Sequence, residues 1–210
     1  LAVSNSADNT VDILRNDGAG LFTLDDPPLA VGAGPLGLGA RDLDLNGTSD
    51  LLVCCSEERE IQVYSGASLR GSRAPSQKIP TDGKPGSIDP ADYDKEKGGD
   101  VGATTEDPGM LLTMAVNSTN GQLSGPQGHP SGPKPSNIKS KDVDGDGKGD
   151  FVASDDEDGT VTVLKQSSST RGYDAPLTFP VADSVGSLTL LDADQDGDQD
   201  LAIYNNSENR

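Results

Sequence analysis

The chain has 210 residues, a formal net charge of −19 and a hydrophobic fraction of 32%, with 26 Gly, 14 Pro and no Trp. So acidic a surface disfavours nucleic acid and anionic lipid as partners, and no apolar run approaches the roughly 20 residues of a membrane span. Composition alone leans towards disorder or a loop-rich β protein, and patterning selects the β protein.

From the N-terminus, LAV at Leu1 and the alternating TVDIL from Thr10 read as strands. Pro35 and Leu38 lead into DLDLNGTSD from Asp42, followed by LLV from Leu51 and EIQVY from Glu60. The same order then recurs. Pro85 and Ile88 precede DYDKEKGGD from Asp92, VGA from Val101 and MLLTM from Met110. Pro135 and Ile138 precede DVDGDGKGD from Asp142, FVA from Phe151 and TVTVL from Thr160. Val185 and Leu188 precede DADQDGDQD from Asp192 and LAI from Leu201. The acidic stretches start at residues 42, 92, 142 and 192, 50 residues apart with no insertion. In the alternating segments Val11/Ile13, Ile61/Val63 and Val161/Val163 share one face, the mark of a half-buried strand. The copy at Met110 is apolar almost throughout, and its facing stays open.

One period thus holds a strand into the acidic loop, a strand out of it, a third alternating strand and a weaker fourth in the Pro/Gly/Ser-rich remainder. Four short strands in about 50 residues predict an all-β fold, a β-propeller of four-stranded blades. The predicted blades are 34–83, 84–133 and 134–183, with the last three strands of an earlier blade in 1–33 and the first strands of a later one in 184–210. The ends duplicate each other (LAVSNSADNT from Leu1, LAIYNNSENR from Leu201), so the chain reads as a segment of a larger propeller or a unit continued through a partner. Leu1 is not followed by a basic-then-apolar signal segment, so a secreted chain would be mature here or an excerpt.

Each acidic stretch places oxygen ligands at positions 1, 3, 5, 7 and 9, with position 7 offering its carbonyl and Gly at position 6 permitting the turn. The first loop would use Asp42, Asp44, Asn46, Thr48 and Asp50, the third Asp142, Asp144, Asp146, Lys148 and Asp150, and the fourth Asp192, Asp194, Asp196, Asp198 and Asp200. The second keeps Asp92, Asp94 and Asp100 but has Glu96 at position 5 and Lys97 in place of the glycine, so its site is expected to be weak or empty. The expected cation is calcium, in a structural role that pins the hairpin of each blade. An EF-hand needs Glu at position 12 and flanking helices; position 12 here is Val53, Ala103, Ala153 or Ile203, inside a strand. Asp/Gly-rich turns also form hairpins without metal, but three full patterns in phase favour a ligand role.

On these residues the sequence resembles the FG-GAP/VCBS repeat family, the calcium-loop propellers that include integrin α-subunit heads. The motifs that carry the resemblance are DVDGDGKGDFVAS with DGTVTVL (Asp142 to Leu164), DADQDGDQDLAI (Asp192 to Ile203) and NDGAGLF (Asn16 to Phe22). The resemblance implies a propeller, most often seven-bladed, with calcium between the first two strands of a blade. The second loop departs from the pattern, as does the loss of the GAGLF-like element in later repeats. Members of the family serve adhesion, ligand binding, surface assembly and sometimes carbohydrate-active enzymes.

No nucleophile motif accompanies His129, the sole histidine, which lies in GPQGHPSGPKP and reads as part of a surface loop. Tyr64, Tyr93, Tyr173 and Tyr204 read as packing or edge residues. The expectation is therefore an extracellular, non-catalytic module for structure, adhesion or protein binding, capable of self-assembly into a filament. The alternative is carbohydrate binding, or the propeller part of a secreted carbohydrate-active enzyme, weakened by the shortage of aromatics. Sequons at Asn46, Asn117 and Asn205 allow glycans, Asn46 least because it faces the expected metal. Adjacent Cys54 and Cys55 point to opposite strand faces and read as unbridged thiols, with a strained vicinal disulfide or a link to another chain as alternatives.

Overall fold

The computed structural model describes residues 1–91, 100–117, 119–167 and 172–206. The fold is all-β, in five antiparallel sheets met in chain order. The first holds β1 (Ala2–Asn5), β2 (Thr10–Asn16), β3 (Phe22–Leu24) and β4 (Leu29–Ala30), the last two both paired with β2. The second runs β5 (Pro35–Arg41), β6 (Asp50–Cys55), β7 (Glu60–Tyr64) and β8 (Gln77–Pro80), with a single helical turn, α1 (Gly66–Arg70), before β8. The third contains β9 (Lys84–Pro90), β10 (Asp100–Glu106) and β11 (Met110–Asn117), and both β12 (Gln122–Leu123) and β13 (Gln127–Pro130) pair with β11. The fourth is β14 (Pro135–Lys141), β15 (Asp150–Asp155), β16 (Thr160–Leu164) and β17 (Leu177–Pro180). The fifth pairs β18 (Val185–Leu191) with β19 (Asp200–Asn205).

The recurring Pro/Val position has a structural reason. Pro35, Pro85, Pro135 and Val185 pair with Cys55, Thr105, Asp155 and Asn205, and the register shifts immediately after each pair. A bulge is where a strand tolerates a residue without an N–H. Beyond it, Leu38, Ile88, Ile138 and Leu188 face Val53, Ala103, Ala153 and Ile203 across the ladder. Position 12 after each acidic loop start is therefore an apolar packing position.

Core clusters lie between consecutive sheets. Val11 and Leu29 of the first sheet pack with Leu51, Val53 and Tyr64 of the second. Leu52, Cys54, Ile61 and Val63 pack with Val101, Ala103, Leu112 and Met114 of the third. Leu111 meets Ile138, Phe151 and Leu164 of the fourth, whose Val152 and Val161 meet Leu188 of the fifth. Every inner sheet is thus covered on both faces, which corrects the half-buried reading of two alternating segments. In β7 and β16 the intervening Gln62 and Thr162 are buried as well, at 2% and 1% exposure. Gln62 accepts from Gly32 N–H at 3.1 Å and from the Tyr64 hydroxyl at 2.5 Å. In β2, which belongs to an outer sheet, Val11 is buried and Asp12, Ile13 and Leu14 are half-buried.

Polar stitches cross the same seams. Ser4 and Ser154, at equivalent positions of β1 and β15, donate to the carbonyls of Leu36 and Gly186 in the next sheet, each at 2.8 Å. His129 is not in a surface loop. It lies in β13 opposite Leu111, is buried, and shares a 3.0 Å hydrogen bond with the Thr113 hydroxyl. Pairing of the Gly/Pro-rich segment with β11 brings it under cover. Among the described residues no helix is long and apolar enough to cross a membrane.

Candidate metal sites in the acidic loops

The first, third and fourth acidic loops connect β5 to β6, β14 to β15 and β18 to β19, and position 9 is in each case the first residue of the strand that follows. Asp92, Asp94 and Glu96 of the second loop, with Lys97, lie outside the described residues; Asp100, which opens β10, lies within them.

The three described loops close in the same way. The position-1 carboxylate accepts from the position-6 amide: Gly47 to Asp42 at 2.7 Å, Gly147 to Asp142 at 2.9 Å and Gly197 to Asp192 at 3.1 Å. Those glycines have φ of +86°, +86° and +95°, a left-handed conformation that a Cβ would strain. Position 3 accepts from the amide of position 5, and position 5 from that of position 7: Asn46 from Thr48, Asp146 from Lys148 and Asp196 from Asp198, all at 2.9 Å. The amides of positions 5, 6 and 7 are thus turned inward onto the carboxylates.

The oxygens of Asp42, Asp44 and Asp50 lie within 4.8 Å of one another, as do those of Asp142, Asp144 and Asp146 and those of Asp192, Asp194 and Asp200. Three carboxylates on a single-loop scaffold form a hard, all-oxygen donor set, which fits calcium better than a transition metal.

Position 9 does more than the sequence suggested. Asp50 accepts from Leu43 N at 2.9 Å and from Gly66 N, beyond the third strand, at 2.8 Å. Asp150 repeats this with Val143 N at 3.0 Å and Gln166 N at 2.9 Å, and Asp200 accepts from Ala193 N at 2.8 Å. Both oxygens of Asp50 and of Asp150 are so engaged. Burial pushes the Asp50 and Asp150 carboxyls above their ordinary range; the N–H bonds oppose the rise and the other loop carboxylates add to it.

Three further features escaped the sequence reading. Position 4 is also left-handed, with φ of +57° at Leu45, +77° at Gly145 and +66° at Gln195; the glycine at 145 was a signal for it. The turn between β11 and β12 sits against the first loop, where a Cβ on Gly121 would lie 3.0 Å from that of Asp44. Leu43, at position 2, is buried in the same cluster as Leu123 of β12. Finally, Asp100 is reached by Tyr173 and Gln166, which bridge each other in the connection between β16 and β17. These cross-sheet contacts have no sequence signature.

Neither protein-family models nor curated proteins give a match to this chain. Solved structures do. The chain is similar to a protein of Bacteroides uniformis described as a candidate 6-phosphogluconolactonase, with TM-score 0.61 and 16% identity over 82% of this chain and 49% of that one. It is similar to hydrazine synthase of Kuenenia stuttgartiensis, with TM-score 0.60 and 13% identity over 90% and 48%. An auxiliary nutrient binding protein of Bacteroides ovatus gives TM-score 0.55 and 13% identity over 84% and 42%. The chain spans half or less of the length of these structures, and at such identities the likeness concerns the fold alone.

Proposed function

We propose that this chain is part of a calcium-stabilised β-propeller of the FG-GAP/VCBS kind, a non-catalytic structural, adhesive or protein-binding module of the cell exterior. The observation that carries the reading is the recurrence of one loop geometry. Three described loops, each between the first two strands of a sheet, turn the same amides onto the same carboxylates and gather three of them within 4.8 Å. Such a cluster is self-repulsive without a cation, so a bound divalent ion relieves a cost that folding would otherwise carry. The stack of five successive sheets supports a propeller arrangement of blades. The activities named for the similar structures are not part of the proposal.

Outer faces of the first and fifth sheets expose Val3 and Tyr204, at 43% and 53%. Those faces suit packing by a further sheet, from the same polypeptide or from a partner.

Calcium dependence of stability is the test. A site filled at ten times its dissociation constant contributes about 1.4 kcal/mol, so three sites raise the melting temperature by roughly 10 °C. Thermal unfolding in millimolar calcium and in chelator, with metal analysis of the desalted protein, reads this directly. Equal melting temperatures and no retained calcium would overturn the proposal.

A further inference from the structure

We propose that Lys165 is a built-in counter-ion of the third acidic loop, and that this loop takes up its cation after the first and fourth despite its full ligand pattern. This rests on the calcium reading of the loops. Lys165 Nζ lies 3.3 Å from Asp144 Oδ2, and Lys148 Nζ lies 3.8 Å from Asp146 Oδ2. Both carboxylates belong to the group whose oxygens fall within 4.8 Å of one another. Two ammonium groups therefore already neutralise part of the charge that would attract a metal.

The two lysines are held differently. Lys148 also donates to the Ser167 carbonyl at 2.7 Å, which anchors its ammonium beside the loop. Lys165 has a side chain 35% exposed and can swing into solvent once its ion pair is broken. An entering divalent ion must break that pair, and until Lys165 moves away the two cations repel at a few ångströms. At this exposure the pair itself is weak, so the combined handicap amounts to a roughly three- to tenfold loss of affinity. Equivalent positions in the first loop carry Thr48 and Ser65, and position 7 of the fourth carries Asp198. Neither lysine has a counterpart in the first loop, and the fourth lacks that of Lys148.

A calcium titration of the 210-residue chain, followed by ¹⁵N–¹H correlation spectra, resolves the loops one by one. The amides of Gly47, Gly147 and Gly197 each donate to the position-1 carboxylate of their own loop and serve as separate reporters. The Gly147 midpoint is expected at higher calcium than the other two. Lys165→Met should lower it roughly three- to tenfold and leave the Gly47 and Gly197 midpoints unmoved. Lys165→Gln, which removes the charge and keeps a polar end, should do the same and covers the case in which Met disturbs the fold. A Gly147 midpoint below the others in the unsubstituted chain, or one that neither substitution shifts while Gly47 and Gly197 titrate, would overturn the counter-ion role and leave the calcium reading standing. If none of the three amides responds to calcium, both proposals fail together.

Discussion

The hydroxyl of Tyr173 donates to Asp100 Oδ2 at 2.7 Å, so the position-9 carboxylate of the second acidic loop is held from the β16–β17 connection of the next repeat. In the first and third loops the position-9 carboxylate accepts a backbone amide from its own repeat, just beyond the third strand, from Gly66 and Gln166. Gln166 takes part at both places, since its side-chain amide reaches Asp100 Oδ2 at 3.5 Å. The junction between the third and fourth sheets is thereby joined through a phenol.

Tyr173→Phe removes this bond and keeps the ring contacts with His129 and Phe151. A hydrogen bond to a carboxylate in a partly buried site contributes about 1–3 kcal/mol. The expected loss in urea unfolding is about 1–2 kcal/mol, equal in calcium and in chelator. A loss that vanishes on chelation would tie Tyr173 to a metal site instead.

Leu45 occupies a left-handed position, φ +57°, that Gly145 fills at +77° in the third loop. A side chain there costs about 1–2 kcal/mol, partly offset by the flexibility glycine adds to the unfolded chain. Leu45→Gly should therefore stabilise the chain by about 0.5–1 kcal/mol, and Gly145→Leu should destabilise it by about 1 kcal/mol. Leu45 is 52% exposed, so little packing is lost in the exchange. Chelator-treated samples of both variants, unfolded in urea, separate backbone strain from metal affinity.

Burial pushes the His129 imidazole below its ordinary range. The unfolded chain then binds the proton more readily than the folded one. The stability from keeping His129 neutral is fully present above its unfolded value of about 6.5 and is lost as pH falls below it. Urea midpoints should drop between about pH 6.5 and 5, and His129→Gln should flatten that slope. Buried Asp50 and Asp150 titrate in both proteins and cancel in the comparison. An unchanged slope would remove His129 as its source.

Cys54 packs between the second and third sheets and Cys55 between the first and second, so the two thiols lie in different cores. Burial pushes Cys55 up to about 11 and Cys54 higher still. Neither should react with a thiol reagent in the folded chain at neutral pH, and both should react once denatured without reductant. A count of zero thiols in denaturant would mean a bridge.

Legibility differed by length scale. The strands on either side of each acidic loop were readable because Leu38, Ile88, Ile138 and Leu188 recur in phase with Val53, Ala103, Ala153 and Ile203. The position-6 glycines were readable because a left-handed turn leaves a residue-type signature. Burial of Gln62, Thr162 and His129 was not, because each depends on a second sheet closing over a polar strand face. Lys165 was unreadable for a related reason. It lies 21 residues from Asp144 along the chain, and only the return of β16 past the loop brings them together.

Local chemistry and periodicity by themselves determined the all-β class, the 50-residue repeat and the carboxylates that could face a cation. Tertiary structure alone decided which carboxylates converge, which are occupied by amides, lysines or a tyrosine, and which strand faces are buried. The physical reason is that strand pairing and turn closure act between near neighbours, whereas desolvation and charge pairing depend on what the next sheet lays across the seam.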